Sequence, residues 1–298
     1  MNWQEQLITI YLYVCKHYQT NLWTCCQRFT NHADLSFSDE EVITLYLFGI
    51  IDKKKEIKTI YDYADRHLRD WFPKLPSYTA YVQRLNKVSD VFQPLLEIIQ
   101  QEQEQEEKHQ SQPWLIDSFP VAIAKQGHRF KARVAKGVAN CGYCATKKLY
   151  FYGVRVHVVG RRQPGTLPSP EYILVTAANE HDGKVFDQIR PALHDKELYG
   201  DKAYQRPDAD EVRQNQNLTV LTPVKKQKGQ QYLDTDDQWF STAVSRVRQP
   251  IESLFAWIEA KTGIECASKV RSLNGLMVHV FGRLAAAMFF WNYLRISS

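Results

Sequence analysis

Three acidic residues stand in contexts that suit metal-assisted chemistry. They are Asp117 in Trp-Leu-Ile-Asp-Ser-Phe-Pro (114–120), Asp201 in Leu-Tyr-Gly-Asp-Lys-Ala-Tyr (198–204) and Glu252 in Arg-Val-Arg-Gln-Pro-Ile-Glu-Ser-Leu-Phe (246–255). Two sit at the ends of strand-like runs and the third lies in a helical pattern. Carboxylates gathered in this way repel one another unless cations lie between them, so a divalent metal site is the simplest physical reason for the cluster. Paired Mg²⁺ ions in an oxygen cage do phosphoryl chemistry. Any one of the three, taken alone, reads as a turn or a helix cap; it is the combination that points to chemistry.

The charge distribution supplies a second signal. Over 298 residues the net charge is +5, a mild excess. Between Asp117 and Glu171, however, there is no acidic residue, while Lys125, Arg129, Lys131, Arg133, Lys136, Lys147, Lys148, Arg155, Arg161 and Arg162 all fall there. A solvated face would account for such a run, but beside a carboxylate cluster it fits an electrostatic track for a phosphate backbone. With 44% hydrophobic and 12% aromatic residues the chain can bury a core, which excludes a disordered protein. The N-terminal Met-Asn-Trp-Gln-Glu-Gln lacks the pattern of a signal peptide, and Leu284 to Trp291 is too short an apolar run to span a bilayer, so a cytoplasmic protein without a membrane partner is expected. Six cysteines in such a chain are expected as free thiols. Cys141-Gly-Tyr-Cys144 has the spacing of half a zinc site, but no second pair follows, and a loop is the simpler reading.

Residues 1–98 read as a helical N-terminal domain. Ser38 followed by Glu41, with Phe37 and Val42 as a hydrophobic staple, predicts a helix start, and Ile43, Tyr46, Leu47 and Ile50 give its stripe. Pro76-Ser77 opens another helix, with Tyr78, Tyr81, Val82, Leu85 and Val88 on one face and Gln83, Arg84 and Lys87 on the other. Short helices with a basic exposed face suit a helix-turn-helix-like reader of DNA ends, with Arg84 and Lys87 as contacts, and equally suit a plain bundle. Residues 99–112, rich in Gln and Glu, read as a linker. From 113 to 298 the pattern becomes strands (Trp114 to Val121, Leu149 to Val159, Tyr172 to Ala177), followed by strand–helix alternation through Leu218 to Pro223, which predicts an α/β domain with a mixed sheet flanked by helices. Residues 225–242 read as a mobile insertion. Pro250 must lie in the first turn of the helix carrying Glu252, and Arg248, four residues before Glu252, shares its face.

These motifs, with Tyr152-Gly153-x-x-x-His157 and Asn179-Glu180-His181-Asp182, resemble the DDE transposases of bacterial insertion sequences, in particular the group of insertion sequence 982, related to the insertion-sequence 4 and 5 types. The resemblance covers the whole chain, with its motifs concentrated in 113–298. It implies a ribonuclease H-like (retroviral integrase-type) catalytic domain and two Mg²⁺ ions, with Mn²⁺ able to substitute. Asp117 would touch both ions, and Asp201 and Glu252 would each hold one. The implied reaction is hydrolysis of a phosphodiester at the element's ends, followed by attack of the freed 3′-hydroxyl on target DNA. The partners implied are double-stranded DNA (terminal inverted repeats and target) and a second copy of the chain in a homodimer. Arg248, Lys202 and the basic run at Lys125, Arg129, Lys131, Arg133 and Lys136 are the expected DNA contacts. Two positions depart from the family pattern, which often places a Tyr at 245 and a Lys at 259; here they are Ser245 and Glu259, with Lys261 as a substitute cation and Glu259 as a rival third acid. His181 and Asp182 are candidates to lie near the site, with a helix N-cap the simpler use of Asp182. A metal-dependent nuclease of the same fold without strand transfer, or a domesticated DNA-binding protein, would be the alternative functions.

Overall fold

The computed structural model describes residues 1–26, 36–106 and 112–294. It divides into two compact units, one formed by 1–107 with 258–298 and the other by 108–257.

The helical unit begins with α1 (Trp3–Thr20), α2 (Asp39–Ile51), α3 (Ile57–His67), α4 (Tyr78–Lys87) and α5 (Phe92–Glu106). The start of α2 is as the sequence predicts: Ser38 Oγ accepts from the Glu41 N–H at 3.2 Å, and Glu41 in return accepts from the Ser38 N–H at 2.6 Å. Rather than showing one apolar stripe, α2 is buried on every side from Val42 to Ile51, the position of a central helix. Ser77 caps α4.

The α/β unit contains β1 (Trp114–Lys125), β2 (Asn140–Cys144), β3 (Leu149–Arg161), β4 (Ser169–Ala177), α6 (Asp182–Ile189), β5 (Lys196–Tyr199), α7 (Ala209–Gln216), β6 (Leu218–Leu221), α8 (Thr235–Arg248) and the first part of α9 (Pro250–Thr262). The sheet runs β2-β3-β1-β5-β6, with β4 also on β3. β1, β3 and β4 pair antiparallel in turn, whereas β5 and β6 run parallel to β1. This is a mixed sheet flanked by helices, the α/β architecture of a ribonuclease H-like domain. Pro120 lies within β1, yet β5 pairs only with Trp114 and Leu115, so beyond them one edge of β1 is open and the missing N–H breaks no ladder. One face of the sheet is sealed by a core of Ile116, Val159, Phe186, Leu198, Tyr204 and Leu218.

Four sequence expectations are corrected. The polar stretch 99–112 is not a linker from its start, because α5 continues to Glu106 and keeps Gln103 buried; the rest of that call, 107–111, lies outside the described residues. Residues 258–298, read from the sequence as the end of the catalytic domain, pack in the helical unit. Residues 273–294 form a helical run apolar and long enough to cross a membrane by length and composition, but 72% of its window is buried, because it serves as a core helix of the helical unit. It comprises α10 (Leu273–Met277) and α11 (Arg283–Phe289), with π-type turns after each. Tyr46 donates to the Val278 carbonyl at 3.1 Å, and buried Arg283 donates to the carbonyls of Thr262 and Lys55. The insertion 225–242 is half helix, since α8 starts at Thr235 with Asp236 and Asp237 in its first turn, where carboxylates complement the helix dipole. Cys141 to Cys144 is a strand, β2, which forms a hairpin with β3. Residues three apart on a strand project to opposite faces, so the two thiols do not share a ligand, and all six cysteines are free.

Candidate active site

Strand alternation sorts β1 into two chemistries. Ile116 and Ser118 project to the side of α6, where Ile116 packs with Phe186 and Tyr204. Asp117 and Phe119 project to the other side, where the Phe119 ring meets Phe255 of α9 at 4.8 Å between centroids. That contact brings the start of α9, and with it Glu252, to the face that carries Asp117.

Arg248, the last residue of α8, joins the two acids, donating from Nη1 to Asp117 and from Nη2 to Glu252. Burial works against the Arg248 charge, but the two carboxylates outweigh it and hold its proton more firmly. Pro250 opens α9, as the sequence requires, and its missing N–H falls where no helical partner exists. Asp201 arrives from the end of β5 through Gly200. A side chain at Gly200 would lie 2.8 Å from Tyr204 and 3.0 Å from Ile116, so the close approach needs glycine. Asp201 also caps the short turn Lys202–Tyr204, accepting from the Ala203 N–H at 2.7 Å.

Asp182 lies beside Asp117, and its preferred reading as an N-cap is corrected. The N-cap of α6 is His181, and Asp182 makes no cap. Its carboxylate instead accepts from Ser118 Oγ at 2.9 Å and from Arg155 Nη1 at 3.1 and 3.2 Å, with His157 Nδ1 at 3.5 Å. Ser118 is paired with His157 across β1 and β3, so Asp182 ties both strands next to Asp117. The signal was the spacing of the Asn179 to Asp182 motif, which marks the site but not which way the side chain turns.

Electrostatics agree with a shared field. Burial raises the Asp117 carboxyl to about 6, opposed by Arg248 and the Ser118 N–H and reinforced by Asp201 and Asp182. Burial likewise raises Asp201, with Asp182 adding to the shift. His157 is held neutral, lowered to about 4 by burial. Arg248 serves Asp117 and Glu252, Arg155 serves Asp182 and Lys225 acts on Asp201, so four carboxylates meet three cations and the cluster stays net negative. Its donors are all hard oxygens, the set that suits Mg²⁺ or Mn²⁺ rather than zinc. The donor chemistry therefore fits a divalent cation. Among the described residues no three acidic, histidine or cysteine side chains close on one point as they stand, because a guanidinium occupies the space between Asp117 and Glu252.

The other expected residues divide. Lys125, Lys131, Arg133, Lys136 and Lys202 are exposed and Arg129 is half-exposed, so all belong to the surface of the α/β unit. Lys87 is exposed on α4. Arg84 is not available as a DNA reader: its guanidinium is turned inward onto Asp39, whose side chain is 3% exposed, and also donates to the Cys26 carbonyl at 3.2 Å. Glu259 accepts from the Glu265 N–H at 2.8 Å, and Lys261 stands 3.5 Å over the Phe290 ring, so each serves the local packing of the helical unit.

A family model described as "Transposase DDE domain" matches residues 108–289, more than half of the chain. The chain belongs to that family. It is a transposase, an enzyme of nuclease and transferase type that acts on DNA, in a family that generally uses divalent metal ions. No curated protein and no solved structure gives a match.

Proposed function

We propose that this transposase cuts phosphodiester bonds at the ends of an insertion sequence of the 982 group and joins the freed 3′-hydroxyl to target DNA, with Asp117, Asp201 and Glu252 as its metal ligands. The observation that carries the reading is the convergence of Asp117 and Glu252 on one guanidinium, with Asp201 and Asp182 close enough to raise the Asp117 carboxyl. Two Mg²⁺ ions, with Mn²⁺ as a substitute, would supply activation of the attacking oxygen and stabilisation of the leaving 3′ oxygen. Arg248 balances the carboxylates in their absence and, once released from Asp117, is placed to hold a DNA phosphate. Lys202 and the basic run Lys125, Arg129, Lys131, Arg133 and Lys136 hold the backbone of double-stranded DNA. The helical unit, with Lys87 on its surface, reads the terminal inverted repeats, because a catalytic surface that binds backbone leaves base recognition to another module. Two copies synapse two ends as a homodimer.

The test is cleavage and joining by the full chain on a duplex carrying the element's ends. Mg²⁺ and Mn²⁺ should support both steps, and Ca²⁺ should permit binding without turnover. Undiminished cleavage by Asp117→Asn would remove that residue from the site. Cleavage without any joined product would make the protein a nuclease of the same fold.

A further inference from the structure

An exposed aromatic cluster of the α/β unit adjoins the carboxylates through Arg155, which donates to the Tyr143 carbonyl at 2.7 Å and to Asp182 at 3.1 Å. Phe130 (67% exposed), Tyr150 (51%) and Tyr143 (42%) come from the turn Gln126–Phe130, from β3 and from β2. Tyr143 and Tyr150 are cross-strand partners with ring centroids 4.5 Å apart. The Arg129 guanidinium lies over the Phe130 ring at 4.0 Å and over the Tyr150 ring at 4.8 Å, and Tyr150 is tilted 39° to Tyr143, so cation and rings form one stacked cluster. Its orientation is fixed by a bond from Arg129 Nη1 to the Gln126 carbonyl at 3.0 Å.

Exposed aromatic rings scattered singly are ordinary; rings held together in contact, each with a face open to water, call for a partner. The surroundings choose it. Lys125, Lys131, Arg133, Lys136 and Lys148 are exposed within the same stretch of chain as the rings, which contains no acid from Ser118 to Pro170. A cationic stretch selects a polyanion, and flat rings with an intercalated guanidinium select flat, electron-rich rings. DNA carries both, but a closed duplex hides its base faces in the stack. Only unpaired bases can lie on such a surface.

We propose that Arg129, Phe130, Tyr143 and Tyr150 form a stacking platform for unpaired bases of the DNA substrate. The proposal rests on the DNA-processing reading above and adds the form of the substrate: a duplex with a frayed or single-stranded flank. One guanidinium, that of Arg155, reaches both the Tyr143 carbonyl and Asp182, so a single substrate can lie on the rings and at the carboxylates. The platform therefore holds the flank while a phosphate of the same substrate lies at the carboxylates.

The experiment measures binding of the full-length protein in Ca²⁺ by fluorescence anisotropy, to a blunt duplex and to the same duplex with a ten-nucleotide single-stranded tail. The tailed duplex should bind about tenfold more tightly at equal salt, the gain expected from stacking one or two bases. Phe130→Ala with Tyr150→Ala should abolish that preference and leave blunt-duplex affinity and its salt dependence unchanged. Phe130→Trp should retain the preference. Because these side chains are exposed, loss of fold is not expected, and an unchanged melting temperature checks it. Equal binding of the two duplexes by the wild type, or a preference that survives the double substitution, overturns the platform alone. Absence of binding to either duplex overturns the platform and the DNA-processing reading together.

Discussion

Two arginine–aspartate pairs, one in each unit, use the same geometry for opposite ends. In the helical unit Arg84 grips Asp39 with two nitrogens, the Tyr18 hydroxyl donates to the same carboxylate at 2.7 Å, and the carboxylate is almost wholly buried. Every strong acceptor site of Asp39 is used within the fold. In the α/β unit Arg248 divides its guanidinium between Asp117 and Glu252, the latter 56% exposed at its side chain, while Asp182 and Asp201 crowd Asp117 with like charge. The first pair is closed and serves stability. The second is open, leaves negative charge uncompensated, and costs stability that a bound cation would return. Saturation of the acceptors, and not the presence of an ion pair, separates a structural carboxylate from a functional one.

The comparison breaks most visibly at the level of the fold. A fragment covering 113–298 should fail to give soluble folded protein, because it carries the apolar run 273–294 without α2 and α5; size-exclusion chromatography would show aggregate, and a monodisperse folded fragment would contradict the assignment of that run to the helical core. Next, Asp117→Asn, Asp201→Asn and Glu252→Gln should each lower cleavage by about 10³-fold or more, some 4 kcal/mol of barrier. In that set Asp117→Asn should melt no lower than the wild type. Arg84→Ala should do the reverse, keeping the site but destabilising the chain by about 3 kcal/mol in urea unfolding, because it strands a buried carboxylate. If Arg84→Ala unfolds like wild type, the pair is not closed in the sense argued.

A smaller effect is expected with pH. The Asp117 carboxyl in the fold is raised to about 6, above the value near 4 of an unfolded chain, so between these limits the folded state binds the extra proton. Its contribution to stability is therefore present in full below about pH 4 and is lost as pH rises through about 6, an effect of about 1 to 2 kcal/mol. Urea midpoints at pH 4.5 and 7 should lose that part of their difference in Asp117→Asn. The smallest effect belongs to Asp182→Asn. It keeps an acceptor for Ser118 but loses the charge held by Arg155, and cleavage should fall about tenfold with no change in the salt dependence of DNA binding. A loss as large as that of Asp117→Asn would make Asp182 a ligand rather than a positioning residue.

The position of Asp201 just after β5, Pro250 and the Arg248–Glu252 pair were legible because each is a local signal: a carboxylate past a strand end, an imino acid in a first turn, two side chains four apart on one face; Asp117, by contrast, lies inside β1. The α2 capping box and the strand runs of β1, β3 and β4 were legible for the same reason, since caps and period-two patterns act over a few residues. The contacts of Asp182 with Ser118, Arg155 and His157 were not, because they depend on β3 and α6 being packed beside β1, a matter of register between segments distant in sequence. Arg84 was misread for the converse reason. Its helical periodicity places it opposite the apolar stripe, but only the arrival of Asp39 from α2 turns it inward. The same holds for the C-terminal segment: its apolarity says that it must be buried, and tertiary structure alone decides in which unit, because burial free energy is proportional to area and indifferent to which partner supplies it.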